Sequence, residues 1–280
     1  MKRMVKLLGI SSIAGAALLA GNASANHPVL VEGEWDFDGD GRIGLAEDND
    51  GTDGVFGTIT AALGAANGGI NQNGRITIVT SGRFAEVVNI TAANGNVTLE
   101  AAPGVEANID AVITGPRALD FPASTNLARQ GAPGIIVNAP SNRYVSIRNV
   151  VSRNWTNGID VRGGSRVAIE NCRLENNVNY GILVQDTAKV KIDNCAVHAT
   201  GFRTGAAAAG QTNNFPTQNT PMPGNGIEFE GQSRGAVFRT EVSGSFGAGI
   251  SSTRGNVETK DVYLFDNNPD QKNEGRTRDR

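Results

Sequence analysis

The chain has 280 residues, with 25 Lys plus Arg against 28 Asp plus Glu and a formal charge of −3. That acidic balance argues against a surface built to attract nucleic acid or anionic lipid through net charge. Glycine is abundant at 36 residues and aromatics are scarce at 5%. This favours turns and small packed side chains over a thick globular interior, and the length suits one large core or a solenoid.

At the N-terminus Lys2, Arg3 and Lys6 precede an apolar run from Leu7 to Ala20, and Ala23-Ser24-Ala25 forms a small-x-small cleavage site. Residues 1–25 are therefore expected to be a secretory signal peptide, with the product extracellular, on the cell surface or periplasmic. The run is shorter than the ~20 apolar residues of a membrane span and is interrupted by Ser11, Ser12 and Gly15. No membrane insertion is expected after cleavage. Cleavage removes three basic and no acidic residues, leaving 22 against 28, a formal charge of −6.

Residues 26–54 contain DFDGDGRIGLAE, in which Asp36, Asp38 and Asp40 occupy loop positions 1, 3 and 5. Gly41 stands at position 6 and Glu47 at position 12. Alternate oxygens of a tightly curled loop can surround a hard cation, the carbonyl of Arg42 adds a ligand, and Glu47 closes the shell. The spacing resembles an EF-hand or dockerin loop and implies calcium bound by Asp36, Asp38, Asp40, Arg42 and Glu47. The flanks do not resemble EF-hand helices, since His27-Pro28 precedes the loop and Asp48 follows it. The alternative is an acidic, solvated linker.

Next, Val55, Ile59, Ala62, Leu63 and Ala66 fall on one helical face, followed by an alternating strand at Arg75-Ile76-Thr77-Ile78-Val79. From Tyr144 onward, fragments of 22 to 23 residues repeat: YVSIRNVVSRNWTNGIDVRGGS, RVAIENCRLENNVNYGILVQDTA, KVKIDNCAVHATG and RGAVFRTEVSGSFGAGISSTRG. Superposition places Ile147, Ile169, Ile192 and Phe238 in one column and Asn149, Asn171 and Asn194 in another. The dipeptides Gly158-Ile159, Gly181-Ile182, Gly226-Ile227 and Gly249-Ile250 form a third column. Each unit holds short alternating strands and cannot bury its apolar face alone, so the units are expected to stack at ~4.8 Å per coil.

This pattern resembles the right-handed parallel β-helix of the pectate lyase-like superfold. The fold class expected is all-β, a right-handed single-stranded parallel β-helix over residues 55–268 with an N-terminal capping helix and a polar tail at 269–280. The helix and first strand resemble the cap and first coil of pectin methylesterases. The Asn column fits a turn ladder.

Residues 113–133 and 198–224 are long insertions at the same point of the repeat, where the intervening coils have only SRNWTNG and NNVNYG. Loops on one flank, ~14 Å apart, would wall a recess. Its floor would present Arg153, Asn154, Trp155, Asn176, Asn177 and Tyr180 beside an outward row of Asp160, Arg162, Gln185, Asp186, Glu228 and Glu230. Aromatic faces among amides and carboxylates suit sugar rings. The expected substrate-binding set is Arg153, Trp155, Asp160, Arg162, Tyr180, Gln185, Glu228 and Glu230. The alternative is Trp155 packed beneath a loop, with the polar residues merely solvated.

No catalytic residues are assigned. Arg162, Arg153 or Lys189 fits the base of a polysaccharide lyase, and Asp160, Glu228 and Glu230 fit a hydrolytic carboxylate group. Leu183 nevertheless separates Asp160 from Glu228. The resemblance carries none of the local catalytic sequences of pectate lyases, pectin methylesterases or polygalacturonases. His198 is expected in a surface or turn role, and Cys172 and Cys195, which share one column, as two buried thiols, with a disulfide the alternative that export permits. Three readings follow: a calcium-stabilised binder of extracellular or cell-wall polysaccharide, a uronate lyase or epimerase, and a non-catalytic surface or adhesion scaffold.

Overall fold

A computed structural model describes residues 29–31, 55–66, 73–111, 132–201, 224–267, 271–273 and 276–279. Three sheets carry the chain, and every pairing between their strands is parallel. Sheet A runs, in spatial order, Val55–Phe56, Val29–Val31, Asn73–Ile78, Asn96–Ala101, Tyr144–Arg148, Arg166–Glu170, Lys189–Asp193, Arg234–Phe238, Asn256–Lys260 and Arg276–Asp279. Sheet B runs Gly82–Phe84, Ala107–Asp110, Val150–Arg153, Arg173–Glu175, Ala196–His198, Glu241–Ser243 and Tyr263–Phe265. Sheet C runs Val88–Thr91, Ile135–Asn138, Asn157–Val161, Tyr180–Val184, Asn225–Glu230, Ile250–Thr253 and Gln271–Asn273. The chain visits A, B and C in turn and pairs each strand with its counterpart one coil on. This is a right-handed parallel β-helix, as the repeats imply.

Alternation within each strand sends one face to the interior and stacks like upon like. Ile147, Ile169 and Ile192 lie in register in sheet A, and Ile135, Ile159, Ile182, Ile227 and Ile250 in sheet C. All are fully buried. The fourth sheet A partner is Val237, opposite Ile192, whereas Phe238 stands opposite Asp193. The expected Phe238 column is thus one residue out of step. Arg234 to Phe238 pair one-for-one with Lys189 to Asp193, which puts Val237 in the core.

Three corners turn the chain, each through a residue in the left-handed region. At the A-to-B corner these are Asn149, Asn171, Asn194, Arg239 and Asp261, with φ between 45° and 57°. Asn tolerates this conformation because its short amide bonds locally, and Asn194 Nδ2 donates to Asn171 Oδ1 at 2.8 Å. Cys172 and Cys195 follow this ladder as free, buried thiols that donate to backbone carbonyls on their own and the preceding coil.

The helix α1 (Ile59–Ala66) buries Ile59, Ala62 and Leu63 in the core. The Glu86 carboxylate accepts from the amides of Ile59 and Thr60 at 2.8 and 2.7 Å, satisfying donors that a helix start leaves orphaned. Asn94 Nδ2 donates to the Leu63 carbonyl at 3.2 Å near the other end. Val55, expected on this helical face, lies instead in a strand paired with Leu30.

Two segments extend the solenoid beyond the expected 55–268. Val29–Val31 inserts between Val55–Phe56 and Asn73–Ile78 in sheet A. Gln271–Asn273 and Arg276–Asp279, read from sequence as a polar tail, pair with Ile250–Thr253 and Asn256–Lys260. The expected signal peptide, 1–25, and the expected calcium-loop residues Asp36, Asp38, Asp40, Arg42 and Glu47 lie outside the described residues.

Candidate functional site on sheet C

Both long insertions interrupt the B-to-C corner: one joins Ala107–Asp110 to Ile135–Asn138, the other Ala196–His198 to Asn225–Glu230. These strands are three steps apart in their sheets, or ~14 Å. Most of each insertion, 113–131 and 202–223, lies outside the described residues. The same corner requires glycine. A Cβ on Gly158 would sit 2.6 Å from the Gly181 carbonyl, and one on Gly226 2.6 Å from that of Gly249.

Beyond this corner the outward column of sheet C reads Ile136, Asp160, Leu183, Glu228 and Ser251. Asp160 is 0% and Glu228 2% exposed. Arg162 grips Asp160 with both fork positions, Nε to Oδ1 at 3.0 Å and Nη2 to Oδ2 at 2.7 Å. Asn157 and Gln185 donate to the same carboxylate at 3.2 and 3.4 Å. The hydrogen bond to Asp160 raises the Arg162 pKa further above its ordinary value, against the opposing effect of burial.

One coil beyond Leu183, Asn225 Nδ2 donates to Glu228 Oε2 at 2.6 Å. The other oxygen, Oε1, is buried and has no hydrogen-bond partner among the described residues. Two residues on, Glu230 accepts from the Tyr180 hydroxyl at 3.3 Å. Burial, then the neighbouring charge of Glu228, raises the Glu230 carboxyl above its ordinary value, although the Tyr180 hydrogen bond opposes this. Burial and the same two glutamates hold the Tyr180 phenol firmly protonated. Structurally, then, Asp160, Arg162, Gln185, Tyr180, Glu228 and Glu230 form one patch on sheet C.

Trp155 does not join it. The indole is fully buried and donates through Nε1 to the Ile109 carbonyl at 2.8 Å. It fills the B-to-C corner as core and offers no face to a sugar, which corrects its expected binding role. Arg153 lies on sheet B, where Asp110 accepts from its Nε at 2.8 Å and from Asn154 Nδ2 at 2.7 Å. Its charge is committed to a carboxylate that is itself 2% exposed.

Asn157 and Asn225 were absent from the expected set, yet a signal exists. N-G-I-D at 157–160 and N-G-I-E at 225–228 repeat an amide three residues before each buried carboxylate. His198 also gains a partner invisible to local inspection, since Nδ1 lies 2.7 Å from Ser243 Oγ and 3.7 Å from Glu241 Oε1. Both contacts use the same ring nitrogen, so the trio does not form a proton relay. A groove of about 530 Å³ at the A-to-B corner is lined in part by Arg173, Arg239 and Tyr263. Its guanidiniums are already taken, Arg239 by Asp193 and Arg173 by Glu106 and Glu175. Among the described residues no cluster of His, Cys, Asp and Glu has the geometry of a metal site, and no helix is long and apolar enough to cross a membrane.

The sheets, corners and buried outward carboxylates define a parallel β-helix with one polar face built to hold charge. The chain belongs to the family described as "Right handed beta helix region", which matches residues 78–221. No curated protein matches it. Among solved structures, a crystal structure of pectate lyase Pel9A is similar at 14% identity and a TM-score of 0.39, covering 89% of this chain and 75% of that one. That distance carries no chemistry across.

Proposed function

We propose that this chain is a secreted, calcium-stabilised β-helix protein that binds extracellular or cell-wall polysaccharide through the outer face of sheet C. The carrying observation is Glu228, 2% exposed and with Oε1 lacking a partner among the described residues. A buried acceptor without a donor costs about 1–3 kcal/mol, and a ligand hydroxyl would relieve that cost. Tyr180 and Glu230 alongside supply a ring, a donor and an acceptor, which together match a sugar's C–H face and hydroxyl rim.

A glycan array probed with the purified chain tests this. Tyr180→Phe and Glu230→Gln should each weaken binding of the strongest neutral glycan about tenfold, a loss equivalent to ~1.4 kcal/mol. Unchanged binding in both variants would remove the sheet C face from the reading.

A second reading is acid–base chemistry at Glu228 and Glu230, favoured by the raised Glu230 carboxyl. It predicts release of reducing ends from a glycan panel. The lyase or epimerase reading has less support on this face, because Arg162 and Arg153 are each held by a buried aspartate and the third candidate base, Lys189, lies on sheet A. Its test is the ultraviolet absorbance of unsaturated product when polyuronate and calcium are supplied.

A further inference from the structure

On the outer face of sheet A, the first residues of successive strands form a column: Tyr144, Arg166, Lys189, Arg234 and Asn256. Arg166, Lys189 and Arg234 therefore stand on three consecutive coils, ~4.8 Å apart at the backbone, and all three are exposed. Among the described residues, none of the three side chains has an ion-pair or hydrogen-bond partner. Asp186, on the adjoining C-to-A turn, is tied by Oδ2 to the Gly163 amide at 2.9 Å.

Like charges placed directly opposite across neighbouring strands oppose folding. Elsewhere in this sheet charges are compensated: Glu170 and Asp193 stand directly opposite each other, but Arg148 pairs with Glu170 and both Lys191 and Arg239 with Asp193, while Arg75 pairs with Glu100. Nor is the stripe a by-product of surplus base, since acidic residues outnumber basic ones 28 to 25. Three cations in register, uncompensated among the described residues, on an acidic protein define a linear array of positive charge along the solenoid axis.

We propose that this stripe is a binding site for a linear polysaccharide bearing regularly repeated anionic groups, laid parallel to the axis. One cation per coil meets one repeat of the polymer after another. The guanidiniums of Arg166 and Arg234 suit the paired oxygens of a carboxylate or sulfate. Tyr144, 50% exposed at the head of the column, offers a ring face to a sugar. The site is separate from the sheet C face, where Asp160, Asp186, Glu228 and Glu230 outnumber Arg162 and repel such a polymer. A polysaccharide is favoured over nucleic acid because the positive strip is one residue wide and the protein around it is acidic. The choice of a glycan rests on the reading proposed above, while the stripe's affinity for anions does not.

The test is calorimetric titration of the purified chain with dextran sulfate, polygalacturonate and unmodified dextran at low and high salt. The expected result is binding to at least one of the two charged polymers, weakening steeply with salt, and none to dextran at this stripe. The triple variant Arg166→Gln/Lys189→Gln/Arg234→Gln should lose at least tenfold in that affinity. Its thermal midpoint at low salt should be equal to or above the parent's, because the repulsion is gone, and this also shows that it folds. Tyr180→Phe should leave charged-polymer binding intact, so failure of the sheet C reading and failure of this one are separately visible. Undiminished binding in the triple variant overturns the proposal. So does single-stranded DNA bound as tightly as either polymer, or self-association of the parent that the triple variant abolishes.

Discussion

Two carboxylates, Glu230 on sheet C and Asp193 on sheet A, set the behaviour expected of single residues. Glu230 has a folded-state pKa above its unfolded value of about 4.5, so its protonated form favours folding. That contribution is complete below about pH 4.5 and is lost as pH rises through the raised folded-state value. Glu230→Gln should therefore raise the thermal midpoint at pH 7 and leave it unchanged near pH 3.5, measured by circular dichroism. Equal shifts at both pH values would contradict this. Asp193 behaves in the opposite sense. Burial works to raise its pKa, but hydrogen bonds from Lys191 and Arg239 outweigh burial and lower it. Its stabilisation is present above the unfolded value of about 3.8 and fades as pH falls through the lower folded one. At the B-to-C corner, Gly226→Ala would press a methyl onto the Gly249 carbonyl and the Val242 side chain. A loss of about 1–3 kcal/mol in urea titration is expected. These residues were partly legible in the sequence. The acidic row and its interruption by Leu183 follow from period-2 alternation, but burial depends on neighbours several coils away. Trp155 shows why: its type suggests a sugar platform, while the Ile109 carbonyl that holds it lies 46 residues earlier.

At the scale of the element, the core shows compensation between strands. Phe229 occupies the position of Val184 one coil before and Val161 two before, and the larger ring fits because Gly235 stands where neighbouring coils have Val190 and Val257. A Cβ on Gly235 would strike the Phe229 ring. Phe229→Val alone should cost about 2 kcal/mol through lost burial and a residual cavity. Adding Gly235→Val should recover more than half of that, and denaturation of the two single variants and the double variant closes the cycle. Simple additivity would show that the two positions do not share volume. The Asn ladder was legible through its spacing of 22 and 23 residues, and its continuation through Arg239 and Asp261 was not. Backbone register carries that continuation where residue type changes, and register also moved Phe238 out of the Ile column.

Across the whole molecule, the repeat period gave the architecture from sequence alone, while the ends of the solenoid escaped it. Val29–Val31 is too short to register as a strand, and residues 271–279 are polar enough to pass for a tail. Both are recruited by edges that would otherwise lie unpaired. The segment 32–54 therefore links two adjacent parallel strands of sheet A, Val29–Val31 and Val55–Phe56, and an ion held by Asp36, Asp38, Asp40, the Arg42 carbonyl and Glu47 would tighten that link. Chelation is expected to lower the thermal midpoint of the parent by several degrees. It should have no effect on an Asp36→Ala/Asp40→Ala variant, and superimposable parent curves with and without chelator would remove calcium from the account.

The B-to-C corner has one more consequence. Ile159 pairs with Ile135 and Ile182 with Ile227 although more than twenty residues intervene in the chain before Ile135 and before Ile227. The frame thus keeps its register across both splices at that corner, each of which returns through a glycine, Gly134 or Gly226, with no room for a side chain. Two exchangeable segments of unrelated sequence start from one flank of a rigid post. Selection, or an engineer, could replace either without disturbing the coils above and below.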